Sequence, residues 1–250
     1  MGVDYRVWLI PRQRSFRPAS DQIAKLANAL RKGKWVPMPD ASGQSSKAVE
    51  LLPGKTSTGD KPHRSEPLAP TAIEAGWIEL HSQHEFVLEW WVNDAAQSNV
   101  QFPFTFVPYP ESQHTYFGIR LMAGPEYFYW TGENVMPFGD SATQCECGEQ
   151  LAYWTGFAAG VPSQRIHSQC PACGRAFDIS EIEGEIMDCW TGERHPLLGG
   201  LAFRFALQVD CHKNFPHEEE AFRRFSLQDA FHELWRTHIA VPYDTLDTAD

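Results

Sequence analysis

The chain has 250 residues, 42% hydrophobic and 21% charged, which excludes a wholly disordered chain, a collagen and a coiled coil. Its net charge of −11, from 21 basic and 32 acidic residues, opposes long-range attraction to nucleic acid or an anionic membrane. The charge is uneven: residues 1–64 hold 12 Lys and Arg against 5 Asp and Glu, whereas residues 65–250 hold 9 against 27, a balance of −18.

The amino terminus does not read as a signal peptide, because Val7-Trp8-Leu9-Ile10 stops at Pro11 and arginines follow at 12, 14 and 17. Residues 4–10 alternate as a first strand. Ser20 then reads as an N-cap, with Asp21 in the first turn and Ile23, Leu26, Ala27 and Leu30 on one apolar face. Arg31, Lys32 and Gly33 suit the carboxyl end of that helix. Trp35-Val36 starts an extended piece, and residues 37–70, rich in Ser, Thr, Gly, Pro and Lys, read as a long flexible loop. Strands dominate next. Residues 77–81 and 86–92 fit a hairpin, and residues 100–107, broken by Pro103, fit a sheet edge. Residues 116–122 and 127–131 fit a second hairpin about Ala123-Gly124-Pro125. Residues 201–210 make a late strand. A second helix starts at Ser226, with Leu227, Ala230, Phe231, Leu234, Trp235 and His238 on one face. The fold class is therefore α+β, a mostly antiparallel sheet with a few flanking helices. Residues 1–140 and 180–250 form one domain around an insert at 141–179. The longest uncharged windows, 95–110 and 150–164, fall short of the roughly 18 residues a membrane span needs.

That insert carries the one strong motif. Cys145-Glu146-Cys147-Gly148 and Cys170-Pro171-Ala172-Cys173-Gly174 lie 22 residues apart. Thiolates satisfy tetrahedral zinc, and short spacers let two sulfurs of one tight turn face one ion. Clustered cysteines of this kind point to a metal site in a reducing, cytoplasmic compartment. Residues 145–179 resemble a zinc ribbon of the rubredoxin-like knuckle type, which implies structural Zn2+ held by Cys145, Cys147, Cys170 and Cys173. The first pair departs from the usual spacing by one residue: Gln144 stands where a ligand is expected, and His167 is a possible substitute. The order Cys-x-Cys then Cys-x-x-Cys also resembles the redox-switch domain of a bacterial chaperone, which implies zinc loss on oxidation.

Other groups carry blander readings. Cys189 and Cys211 read as core residues. Asp210-Cys211-His212 with His217, Glu218, Glu219 and Glu220 reads as a strand-to-helix turn, and His81, His84 and Glu85 as a polar loop. Asp178, Glu181, Glu183, Glu185 and Asp188 alternate as an exposed strand face. No phosphate loop, dinucleotide fingerprint or nucleophile elbow is present, so the chain reads as non-enzymatic. Arg12, Arg14, Arg17, Lys25, Arg31, Lys32 and Lys34 read as a solvated basic face, with Phe16 and Trp35 available for stacking in a nucleic-acid alternative. The acidic bulk and the abundance of Trp and Tyr instead suit binding to a basic protein. The opening strand, the helix ending in Gly33-Lys34-Trp35, the central ribbon, the Phe203-Arg204-Phe205 strand and the closing helix resemble bacterial cytosolic immunity proteins. That resemblance implies inhibition of a secreted toxin, a nuclease among them. An enzyme with scattered site residues is the remaining alternative.

Overall fold

The apolar alternation at the start of the chain forms strand β1, Gly2–Pro11. The computed structural model describes residues 2–36, 47–49, 86–92, 100–105, 115–129, 135–136, 143–154, 164–187, 193–214 and 226–249. Strand β1 pairs antiparallel with β11 (Ala202–Asn214) on one side and β13 (Tyr243–Ala249) on the other. Beyond β11 come β5 (Thr115–Tyr129), β3 (Phe86–Val92) and β2 (Lys47–Val49), giving the order β13-β1-β11-β5-β3-β2. Strand β8 (Gln164–Ile166) pairs with the second half of β5, and β7 (Ala152–Trp154) pairs with β8, which completes an eight-stranded sheet. Residues of the 141–179 insert are thus hydrogen-bonded directly to the main sheet. A three-stranded sheet places β9 (Glu183–Met187) between β10 (Arg194–Leu198) and β6 (Val135–Met136). Strands β4 (Phe104–Thr105) and β12 (Ser226–Leu227) form a short separate ladder. Every described ladder is antiparallel, so the fold is α+β, as the sequence predicts.

Helix α1 (Ser20–Lys32) buries Ile23, Leu26, Ala27 and Leu30 completely, the face that its 3.6-residue periodicity selects. Helix α2 (Asp229–His238) adds Phe231 and Trp235. Both pack on one side of the sheet, over Val7, Leu9, Leu121, Phe205, Leu207 and Val209. This packing, more than intrinsic propensity, holds such short helices. Trp235 lies 5.5 Å from Phe205 between ring centroids, and its Nε1 donates to the Val241 carbonyl at 3.0 Å. The opposite side of the sheet buries Trp8, Ile10, Met122, Phe128, Phe203 and Ala206.

Several predicted boundaries shift for identifiable reasons. The N-cap of α1 is Ala19, one residue before Ser20, and the Gln22 Oε1 accepts the Ala19 N–H at 3.0 Å in place of a side-chain cap. Gly33 is right-handed at φ −75, and Lys34 takes the left-handed position at φ 59. The Trp35 ring explains the glycine, since a Cβ at position 33 would lie 2.6 Å from Trp35 Cδ1. Ser226 and Leu227 are strand, α2 starts at Asp229, and Ala230 is exposed, so the apolar face of α2 is narrower than predicted.

The hairpin expected about Gly124-Pro125 does not form. Strand β5 runs straight through, pairing Ala123 with Phe86 and Tyr127 with Ile166. Against β11 its register shifts, so that residues 124–127 face Arg204 alone. Pro125 offers no N–H to a ladder; here it marks a bulge at which β5 changes partner from β3 to β8, and the chain does not reverse. Of the edge strand expected over 100–107, residues 100–105 are described and hold β4; the predicted strand at 77–81 lies outside the described residues, as does the 37–70 loop apart from β2.

Candidate metal centre

Two tight turns of similar construction carry the cysteines, the first closed by an i→i+3 and the second by an i→i+4 hydrogen bond. In the first, the Cys145 N–H donates to the Glu149 carbonyl and the Gly148 N–H to the Cys145 carbonyl, both at 2.8 Å. In the second, the Cys170 N–H donates to the Arg175 carbonyl and the Gly174 N–H to the Cys170 carbonyl, again at 2.8 Å. Gly148 at φ 90 and Gly174 at φ 73 take the left-handed backbone that closes each turn. Bridges between Gln144 and Gln150, and between Gln169 and Ala176, clamp the turn bases. The first turn therefore reproduces the second with one residue fewer, and the short Cys-x-Cys spacing does not displace Cys145. Gln144, at the position of a missing ligand, donates instead from Nε2 to the Gly148 carbonyl at 2.8 Å.

The two turns bring all four sulfurs within 4.8 Å of one another. Cys145 Sγ lies 3.7 Å from Cys173 Sγ, and Cys147 Sγ lies 3.6 Å from Cys170 Sγ. Sulfurs at the corners of a tetrahedron around zinc, each about 2.3 Å from the ion, stand about 3.8 Å apart. The observed spacing fits that figure and is too long for disulfides. Cys145 and Cys170 are buried, whereas Cys147 and Cys173 are exposed. Backbone N–H groups aim at the sulfurs. That of Cys173, against the opposing effect of burial and with help from Ala172, brings the Cys170 thiol down to about 7. At Cys147 the Glu149 N–H pulls the same way, but hydrogen bonding with the Cys145 and Cys170 sulfurs carries that thiol up to about 12. Thiols this close cannot all ionise unaided, and a bound cation would resolve the conflict.

Beneath the sulfurs, Tyr127, Tyr129, Leu151, Ile166, Ile179 and Ala202 form a small core that includes Cys145 and Cys170. The Tyr127 hydroxyl donates to the Phe177 carbonyl at 3.0 Å and so ties β5 to the chain leaving the second turn. Burial and the Asp178 charge push this phenol up to about 12, so it remains a donor at any physiological pH. Tyr127→Phe is expected to cost about 1–2 kcal/mol by leaving that carbonyl short of a partner. Denaturant unfolding would show it, and an unchanged midpoint would refute the tie.

No protein-family model, curated protein or solved structure matches the chain.

The other predicted groups separate from the sulfurs. His167 stacks on Tyr153 at 4.3 Å and directs Nδ1 to within 3.8 Å of the Glu126 carboxylate, so it is not a fifth candidate ligand. Among the described residues, the cysteines are the only group of three or more His, Cys, Asp or Glu side chains placed to hold a metal. Cys211 lies on β11 opposite Tyr5 and Phe117, and His212 opposite Asp4 and Tyr116. Cys189, His217, Glu218, Glu219, Glu220, His81, His84, Glu85 and Asp188 lie outside the described residues. Asp178, Glu181, Glu183 and Glu185 are exposed as expected, but Asp178 precedes the strand and caps the turn at Ile179–Glu181 by accepting the Ser180 N–H at 3.0 Å, while also accepting the Ser15 hydroxyl at 2.9 Å.

The basic amino-terminal segment divides between solvent and interior: Arg12, Lys25, Lys32 and Lys34 are exposed, as predicted, whereas Arg14 and Arg31 are buried. Arg14 is 1% exposed and pairs with Asp244 at 3.1 Å, Arg12 pairs with the same carboxylate at 3.0 Å, and Arg31 is buried. Trp35 is core and Phe16 packs against it. Trp8, Trp90 and Trp235 are also core, and the large exposed hydrophobic residue among those described is Leu198. The aromatic surplus thus fills the interior of the described part. Two residues that the sequence reading missed, Glu146 and Arg175, pair across the two turns, and their signal was opposite charge beside the cysteines. A third, Glu126, accepts the Ser168 N–H and fixes the approach to the second turn.

Proposed function

We propose that Cys145, Cys147, Cys170 and Cys173 hold one structural Zn2+, and that the chain acts by binding a basic protein, with no turnover of its own. The observation that carries the metal reading is four sulfurs within 4.8 Å, mounted on two similar turns. Four thiolates would complete a tetrahedral shell and leave no position for a water or substrate, which fits a clip better than a catalytic centre. The clip joins two turns over a core too small to order them unaided. Tetrahedral sulfur also suits iron. Protein purified without chelators is expected to be colourless and to hold about one zinc ion per chain. Visible absorption from iron, or no metal at all, would overturn the assignment.

Binding of a basic partner is supported by the −18 balance over residues 65–250 and by exposed Glu146, Glu149, Glu181, Glu183, Glu185 and Glu193. Acidic surfaces speed encounter with cations and set register. The resemblance to bacterial immunity proteins supports a secreted toxin, such as a nuclease, as that partner in the cytoplasm. Co-expression with a toxin encoded beside this chain is expected to restore growth, with association slowing as salt is added. Failure to rescue, or a hydrolytic activity abolished by one side-chain change, would overturn this reading.

A further inference from the structure

We propose that Arg17 and Arg204 form a binding site for one doubly charged tetrahedral oxyanion, the phosphate group of a small molecule. Arg204 sits at the bulge of β11, where it alone opposes residues 124–127, and such irregularities re-aim a side chain. A guanidinium carries five N–H donors. Among the described residues Arg204 has no carboxylate partner. Its one side-chain hydrogen bond runs from Nη1 to the Ser15 carbonyl at 3.5 Å, the far limit for such a bond. Its Nε is sealed from water and meets no acceptor. The nearby acids are engaged elsewhere. Asp178 accepts the Ser15 hydroxyl and the Ser180 N–H, and Asp244 accepts from Arg12 and Arg14. Glu126, within the bulge itself, accepts the Ser168 N–H.

Arg17 supplies the second cation. Residues 13–17 turn against β11: the Phe16 N–H donates to the Gln13 carbonyl at 2.9 Å, and the Arg14 carbonyl accepts the Arg204 N–H at 3.2 Å. Burial, and after it the Arg204 charge, hold the Arg17 guanidinium below its ordinary value. Both arginines are half-buried, so water screens their mutual repulsion incompletely. One dianion removes that repulsion and gives the unused donors of Arg204 their acceptors. The planar fork of a guanidinium matches phosphate oxygens two at a time. A monocarboxylate also accepts a fork, but its single charge balances only one of the two cations. The pair therefore selects phosphate over a simple carboxylic acid, and holds it without any covalent step.

The test titrates inorganic phosphate into the full chain by calorimetry, at constant ionic strength and a mildly alkaline pH where phosphate is a dianion, with acetate as the comparison. One site per chain with a Kd below about 1 mM is expected, and acetate is expected to bind more weakly. Arg204→Gln and Arg17→Gln are each expected to weaken phosphate binding about ten- to a hundredfold, the loss of a charge-assisted hydrogen bond or two. Arg204→Lys, which keeps the charge and loses the fork, is expected to fall between. Lys32→Gln, which removes an exposed cation of α1, is expected to match the wild type. Circular dichroism reads folding separately; if Arg204→Gln does not fold, Arg17→Gln and Arg204→Lys decide. Four results would overturn the proposal: no binding heat at phosphate concentrations about ten times that Kd, acetate bound as tightly as phosphate, wild-type affinity in the arginine variants, or an equal loss in Lys32→Gln.

Discussion

Cys173→Ser is expected to reduce bound zinc from about one ion per chain to a small fraction of that, and to destabilise the two turns by several kcal/mol. Position 173 is the informative choice because its side chain is exposed and contributes nothing to the core beneath. The same change at Cys145 or Cys170 would mix ligand loss with a packing defect. A serine oxygen is a poor zinc ligand at neutral pH, so three thiolates and a water would remain in the shell. Elemental analysis would follow the metal, and hydrogen exchange over residues 143–151 and 167–179 would report the loosening. Gln144→Ala, which removes only a hydrogen bond to the Gly148 carbonyl, is expected to leave zinc content unchanged. Full zinc occupancy in Cys173→Ser would remove that cysteine from the ligand set.

Asp210→Ala is expected to cost about 3–5 kcal/mol, enough to unfold a marginal domain at 37 °C. Asp210 lies on β11 between Arg6 on β1 and Arg120 on β5, at 3.0 Å from the Arg6 Nε and in contact with the Arg120 Nη1. The Arg120 Nη1 also donates to the Gln208 Oε1 at 3.2 Å. All four side chains are nearly or wholly sealed from water, with Gln208 at 0% exposure. Deleting the carboxylate leaves two guanidinium groups in poor solvent without the anion they share. The original pair need not be a large net stabiliser for this to hold, since the penalty comes from the charges left behind. Asp210→Asn, which keeps an acceptor but loses the charge, is expected to fall between the wild type and alanine. Urea unfolding of the three proteins would decide it; an alanine variant within about 1 kcal/mol of wild type would mean that water reaches the arginines.

What could be read from the sequence was local. Period-two alternation located β1, runs of apolar residues located β3 and β11, and the apolar faces of α1 and α2 followed from spacing, because each is decided by neighbours within a few residues. The sulfur site was legible for the same reason: each pair sits in one tight turn, and Gly148 and Gly174 announce the turn. Features made by distant segments were not legible. Nothing local links Arg6 to Asp210, or Arg14 to Asp244, so these ion pairs left no trace in the spacing and the buried Arg14 was read with its solvated neighbours. Gly124-Pro125 carries the same letters as a turn, and only the presence of β11 alongside decides that the strand continues. Gly33 was read only as a helix-ending residue, because the proximity of the Trp35 ring has no signature in spacing.

The position of β1 constrains how the protein is made. Leu9 pairs with Leu207 and Thr245, so neither neighbour of β1 exists until about 200 further residues have been added. At ribosomal speeds that delay is roughly 10–40 s. Throughout it, Val7-Trp8-Leu9-Ile10 is an unpaired apolar strand on a growing chain, the kind of segment that aggregates or recruits a chaperone. The cysteine turns need no such wait, since all their ligands emerge within 29 residues of one another. The β3–β5 ladder and the two turns can therefore order early, with β8 beside them, while the amino-terminal strand stays idle until β11 and β13 arrive to enclose it.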